Sequence, residues 1–73
     1  MTNDQAIDYL STGANLTIGI RKMEDLERMA EAARASGAHL TIVGEVAMDW
    51  MLRIARAGGS HLTFDIASYK VKD

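Results

Sequence analysis

The chain has no cysteine and no proline, one tryptophan, one phenylalanine and two tyrosines. Without cysteine it can form no disulfide and no Cys-ligated zinc or iron–sulfur site, a composition that suits a reducing compartment such as the cytoplasm. Without proline, glycine must do the turning. Strong charge of either sign is also missing: the net charge is −2 and no Lys/Arg cluster stands out. A nucleic-acid binder needs a basic stripe to meet phosphates, so that partner class is not expected. No apolar run approaches the ~20 residues of a membrane-spanning helix. The opening MTNDQAID carries acids where a signal peptide has cations and an apolar stretch. These absences predict a cytoplasmic protein without a nucleic-acid or membrane partner.

What is present is enough for one small globular domain covering residues 1–73, since 48% of the residues are hydrophobic and 25% charged. A domain of this size buries only about 60% of its unfolded surface, so its own core gives a thin margin of stability.

Three near-copies of one hexapeptide organise the sequence: GANLTI at 13–18, GAHLTI at 37–42 and GSHLTF at 59–64. Aligned on Leu16, Leu40 and Leu62, they recur after 24 residues and then 22. Such a period marks one supersecondary unit copied in tandem. Within each copy Leu16, Ile18 and Ile20, then Leu40 and Ile42, then Leu62, Phe64 and Ile66 alternate with Thr17, Gly19, Thr41, Val43, Thr63 and Asp65. Alternation with β-branched residues predicts strands buried on one face, near 15–20, 39–43 and 61–66.

A helical segment precedes each strand. In MEDLERMAEAARAS (23–36), Met23, Leu26, Ala30 and Ala33 form one stripe, acids crowd the first turn, and Arg34 lies in the last. Gly37 follows as the left-handed residue that ends the helix. The third helix, near 46–57, places Met48, Met51, Leu52 and Ala55 where the second has Leu26, Met29, Ala30 and Ala33. The first, near 3–11, opens with Thr2 and Gln5 at capping-box spacing.

The order is therefore α-β-α-β-α-β, with repeats at about 3–20, 22–44 and 45–67. Strands joined through helices pair in parallel. Because these strands alternate instead of reading as continuous apolar runs, helices are expected on one face only. The predicted fold is a three-stranded parallel sheet in order 1-2-3 with a single helical layer. Its predicted core is Leu16, Ile18, Leu26, Ala30, Leu40, Ile42, Met51, Leu52, Leu62 and Phe64. The leucine-rich-repeat pattern has a compatible period but is not met. It needs Leu three positions before each Leu-Thr pair, where Gly13, Gly37 and Gly59 stand, and Asn or Cys at Arg21, Glu45 and Ala67.

Chemistry-bearing patterns are sparse. His39 and His61 occupy equivalent repeat positions, and imidazoles on neighbouring strands can ligate a transition metal, with Asp65 as a third donor. Asn15 at the first equivalent position points instead to a strand-entry site that tolerates any polar residue. A Thr17/Thr41/Thr63 row should line the sheet face away from the helices. The glycines follow helices and precede strands, the reverse of a phosphate loop. Ser11, Ser36, Ser60 and Ser68 lie in nothing like G-x-S-x-G, and Glu24–Arg28 and Asp49–Arg53 have ordinary i,i+4 spacing. No catalytic residue, cofactor site or enzyme activity is expected.

Trp50 is the outlier. Its repeat equivalent is Arg28, and with Ile54 and Ala57 it forms a second apolar stripe. A helix apolar nearly all round must be covered on two sides. Either the first helix or the C-terminal SYKVKD covers Trp50, or another subunit does. The favoured expectation is a non-enzymatic protein-interaction or self-assembly module, homo-oligomeric, with an interface of Met48, Trp50, Met51, Ile54, Ala57 and Phe64. The alternative is a metal- or small-ligand-binding protein using the polar sheet face around His39 and His61.

Overall fold

The computed structural model describes residues 1–66. The chain runs α1 (Asn3–Ser11), β1 (Leu16–Gly19), α2 (Met23–Ser36), β2 (Leu40–Val43), α3 (Met48–Gly58), a 3₁₀ turn (Gly59–His61) and β3 (Leu62–Asp65). The strands form one parallel sheet in the order β1-β2-β3, the alternating α/β repeat expected. Register follows the repeat alignment: Leu16, Leu40 and Leu62 sit side by side, as do Thr17, Thr41 and Thr63. The SYKVKD segment and the end of the third repeat lie outside the described residues.

Local chemistry explains the element ends. The Thr2 hydroxyl accepts from the Gln5 amide at 3.1 Å while the Gln5 side chain accepts from the Thr2 amide at 3.0 Å, a closed capping box. Gly37 ends α2 at φ 82°, a left-handed conformation that costs a side-chain-bearing residue about 1–2 kcal/mol. α2 lies between α1 and α3. Ser36 secures one of those contacts by donating its hydroxyl to the Leu10 carbonyl at 2.6 Å.

The core is built from Ala6, Leu10, Ile18, Leu26, Met29, Ala30, Ala33, Ala38, Leu40, Ile42 and Ile54, all buried. Leu16, Leu62 and Phe64 are half-buried and pack against it. Thr17 and Thr63 on the opposite sheet face are exposed and Thr41 is half-buried, which fits a sheet covered by helices on one side.

Two expectations about α3 are corrected. Leu52, assigned to the core, is 47% exposed, and Met51 is half-buried outside the central cluster. Ile54, assigned to the outer stripe and the interface, is fully buried. The two stripes have traded places, and the reason is position in the array. Ala6 in α1 and Ala30 in α2 occupy the repeat position of Leu52, and both are fully buried because each helix is followed by another. Leu52 sits on the last described helix. The inward side of α3 carries Ile54, Ala57 and Gly58 of the stripe thought to be outer, while Trp50 at its start is 37% exposed.

Contact with α2 is close. Gly58 is buried in the last turn of α3, and a Cβ built there would lie 2.8 Å from the Leu62 Cβ and 3.2 Å from the Ala30 Cβ. The side-chain pairing also differs from the expected i,i+4 ladder. Arg28 reaches Asp25 and, across to α1, Asp4, at 3.8 and 3.9 Å. Arg53 turns away from Asp49 and forms a two-pronged pair with Glu27 of α2 at 3.1 and 3.2 Å.

Candidate functional site

The polar sheet face carries the histidines. The entry to β2 is held by Asn15, whose side-chain oxygen accepts from the His39 amide at 2.9 Å, while the His39 carbonyl accepts from the Leu16 amide at 3.0 Å. The His39 Nε2 lies 2.7 Å from the Thr63 hydroxyl, so this ring leans across onto β3. His61 sits in the 3₁₀ turn, one residue before β3, and its Nδ1 lies 2.9 Å from the Ala38 carbonyl. Each imidazole thus has one nitrogen tied to a neighbouring structural group. Asp65 lies further along β3, opposite Val43. Among the described residues no group of three or more His, Asp or Glu side chains comes together to hold a metal ion. His39 and His61 each hydrogen-bond to a residue beside a neighbouring strand, His39 to Asn15 and Thr63 and His61 to Ala38.

A shallow, open depression of about 590 Å³ lies between the last turns of α2 and α3, lined by Glu31, Arg34, Ala35, Arg56 and Ala57. Arg34 crosses it, donating from Nη1 to the Arg56 carbonyl at 3.4 Å. It is broad and lacks the apolar enclosure of a small-molecule pocket. The electrostatics of the helical surface are correspondingly plain. The Arg53 guanidinium is held above its ordinary value by its hydrogen bond to Glu27 and then by the Glu27 charge.

Among the described residues, the most exposed apolar helix face is the outward side of α3. Met48 is 65% exposed and Leu52 47%, with Ala55 exposed beside them. Spacings of four and three residues put these on one face of the helix. Their equivalents in α2 are Leu26, Ala30 and Ala33, all fully buried. The other end of the array is different. The α2 residues Met29, Ala32 and Ser36, the last bonded to Leu10 of α1, correspond in α1 to Gln5, Asp8 and Thr12, which are exposed and polar beside the 46% exposed Tyr9.

The expected interface set divides accordingly. Met48 is open and Met51 half-buried. Trp50 is 37% exposed. Ala57 and Phe64 are half-buried against the core, and Ile54 is sealed inside it. Leu52 and Ala55 were missed. The signal for them was in the sequence, because their α2 equivalents Ala30 and Ala33 are buried and α3 is the last helix of the described elements.

No family model matches this chain, and no curated protein or solved structure is significantly similar to it. Among the described residues no helix is long and apolar enough to cross a membrane.

Proposed function

We propose that this protein works by contact with another protein surface, above all with a second copy of itself, and performs no chemistry of its own. The observation that carries this reading is the apolar outer face of α3, where Met48, Leu52 and Ala55 occupy the positions at which α2 has the fully buried Leu26, Ala30 and Ala33. Full burial of a large apolar side chain contributes about 1.5–3 kcal/mol, so covering the exposed parts of Met48 and Leu52 is worth roughly 1–2 kcal/mol each. A chain this short has few other sources of stability on that scale. An apolar patch on the end of a repeat array is also where stacked proteins ordinarily need a cap.

The test is solution mass as a function of concentration. Light scattering should show a dimer or larger species at high micromolar concentration, and Leu52→Glu should return it to monomer without loss of helical circular dichroism. A wild-type chain that stays monomeric at high micromolar concentration overturns the reading.

A further inference from the structure

We infer that two copies pair about a twofold axis through the outer face of α3, with the two α3 helices antiparallel, Leu52 near the axis and Asp49 of each copy against Arg56 of the other. This rests on the self-association proposed above and specifies its geometry.

The first argument is the inequality of the two ends. A head-to-tail stack would lay the Met48–Leu52–Ala55 face on the exposed α1 side, which presents Gln5, Asp8 and Thr12. That contact would bury a carboxylate against methionine and leucine without a partner, which is costly. Tyr9, 46% exposed, adds apolar area to that α1 side but leaves Asp8 within the contact, whereas a second copy of the Met48–Leu52–Ala55 face meets it with apolar side chains alone. An interface that uses the same patch on both subunits is twofold, the commonest arrangement among oligomers.

The second argument is charge. Asp49, Leu52 and Arg56 follow one another at spacings of three and four, so they form a stripe along α3 with the leucine in the middle. Parallel pairing would set Asp49 on Asp49 and Arg56 on Arg56. Antiparallel pairing sets each acid against a base at both ends of the leucine contact and opposes the two helix dipoles. Both groups are open to this. Arg28 and Arg53 are engaged within their own chain. Among the described residues neither Asp49 nor Arg56 has an ion-pair partner; one Asp49 oxygen accepts from the Trp50 amide at 3.1 Å. The same axis would bring the outer edges of the two β3 strands together antiparallel, the pairing that open edge strands seek.

Charge reversal tests the geometry. In Asp49→Arg the two symmetric contacts become Arg against Arg, and in Arg56→Asp they become Asp against Asp. Each single variant should dimerise at least about tenfold more weakly than the wild type in sedimentation equilibrium. Mixing the two should give a heterodimer in preference to either homodimer, because both contacts in it are then opposite in sign. The double variant Asp49→Arg/Arg56→Asp should recover wild-type association. It carries both changes against the helix dipole, so its recovery separates pairing from any cost to folding. A wild type that associates, with singles unaffected and no heterodimer preference, overturns this geometry while leaving self-association standing. A monomeric wild type overturns both. So does a monomeric Leu52→Cys variant whose thiol resists alkylation in the native state.

Discussion

Replacing Gly58 by alanine sets two well-known effects against each other, and the structure decides which wins. At an open helical site glycine-to-alanine stabilises by about 1 kcal/mol, because alanine loses less backbone entropy. Gly58 has φ −94° and ψ −26°, so alanine meets no conformational obstacle there. Space is the obstacle. The added methyl would stand 2.8 Å from the Leu62 Cβ and 3.2 Å from the Ala30 Cβ. Neither is the free end of a flexible side chain: both are fixed to backbone, one in β3 and one in α2. Accommodation requires α3 to shift as a body away from both, and overpacking of this kind costs about 1–3 kcal/mol. The net expectation is destabilisation by about 0–2 kcal/mol, at the upper end several degrees in melting temperature for a domain of this size. Urea melts at fixed protein concentration, with an unchanged m-value, measure it. A Gly58→Ala variant more stable than wild type would falsify the close contact of α3 with Ala30 and Leu62.

Leu40→Ala or Ile42→Ala should each cost about 2–5 kcal/mol, enough to unfold so small a domain, while Thr41→Val on the opposite sheet face should stay near neutral; equal losses for all three in urea melts would show the face assignment to be wrong. Ser36→Ala removes the 2.6 Å bond to the Leu10 carbonyl and should cost about 0.5–1.5 kcal/mol, read as a lower denaturation midpoint. Thr2→Ala opens the capping box and should cost about 1 kcal/mol, with helical circular dichroism reporting fraying of α1. Calorimetric titration with Zn²⁺ or Ni²⁺ should show no tight site on the polar sheet face; tight binding that disappears in a His39→Ala/His61→Ala variant would reverse that expectation.

Most of the fold was legible because three copies of one unit constrain one another. The glycine before each Leu-Thr pair fixed where helices end, and the strand alternation fixed which sheet face is covered. The match of Leu16, Leu40 and Leu62 carries the register of the sheet. The 3₁₀ turn that takes His61 out of β3 was not legible. It arises where the helix-ending glycine is doubled, as Gly58-Gly59, and the first glycine stays in the helix to let α3 approach Ala30. Nor was the long reach of Arg28 and Arg53 visible: i,i+4 spacing describes neighbours on one helix, and here helices pack closely enough for their arginines to find carboxylates on the next.

The candidate site was half legible, and the missing half follows from what a repeat conserves. Duplication copies residues, not surroundings. Aligning α3 on α2 correctly identifies Leu52 with Ala30 and Met48 with Leu26, but in α2 those positions are buried by the helix that comes next, and α3 has no described successor. A residue inherited as core thus becomes surface at the end of the array. The N-terminal end has been remade in polar residues, Gln5, Asp8 and Thr12; the C-terminal end has kept its large apolar ones, with Leu where α2 has Ala. Alanine in the middle of the array permits the close approach seen at Gly58, whereas leucine at the end presents more area to a neighbour that sits further off. A terminal face under no demand for contact would lose such residues to polar replacements at no cost in stability. Met48 and Leu52, flanked by Asp49 at one end and Arg56 at the other, are the observation on which the proposed self-association rests.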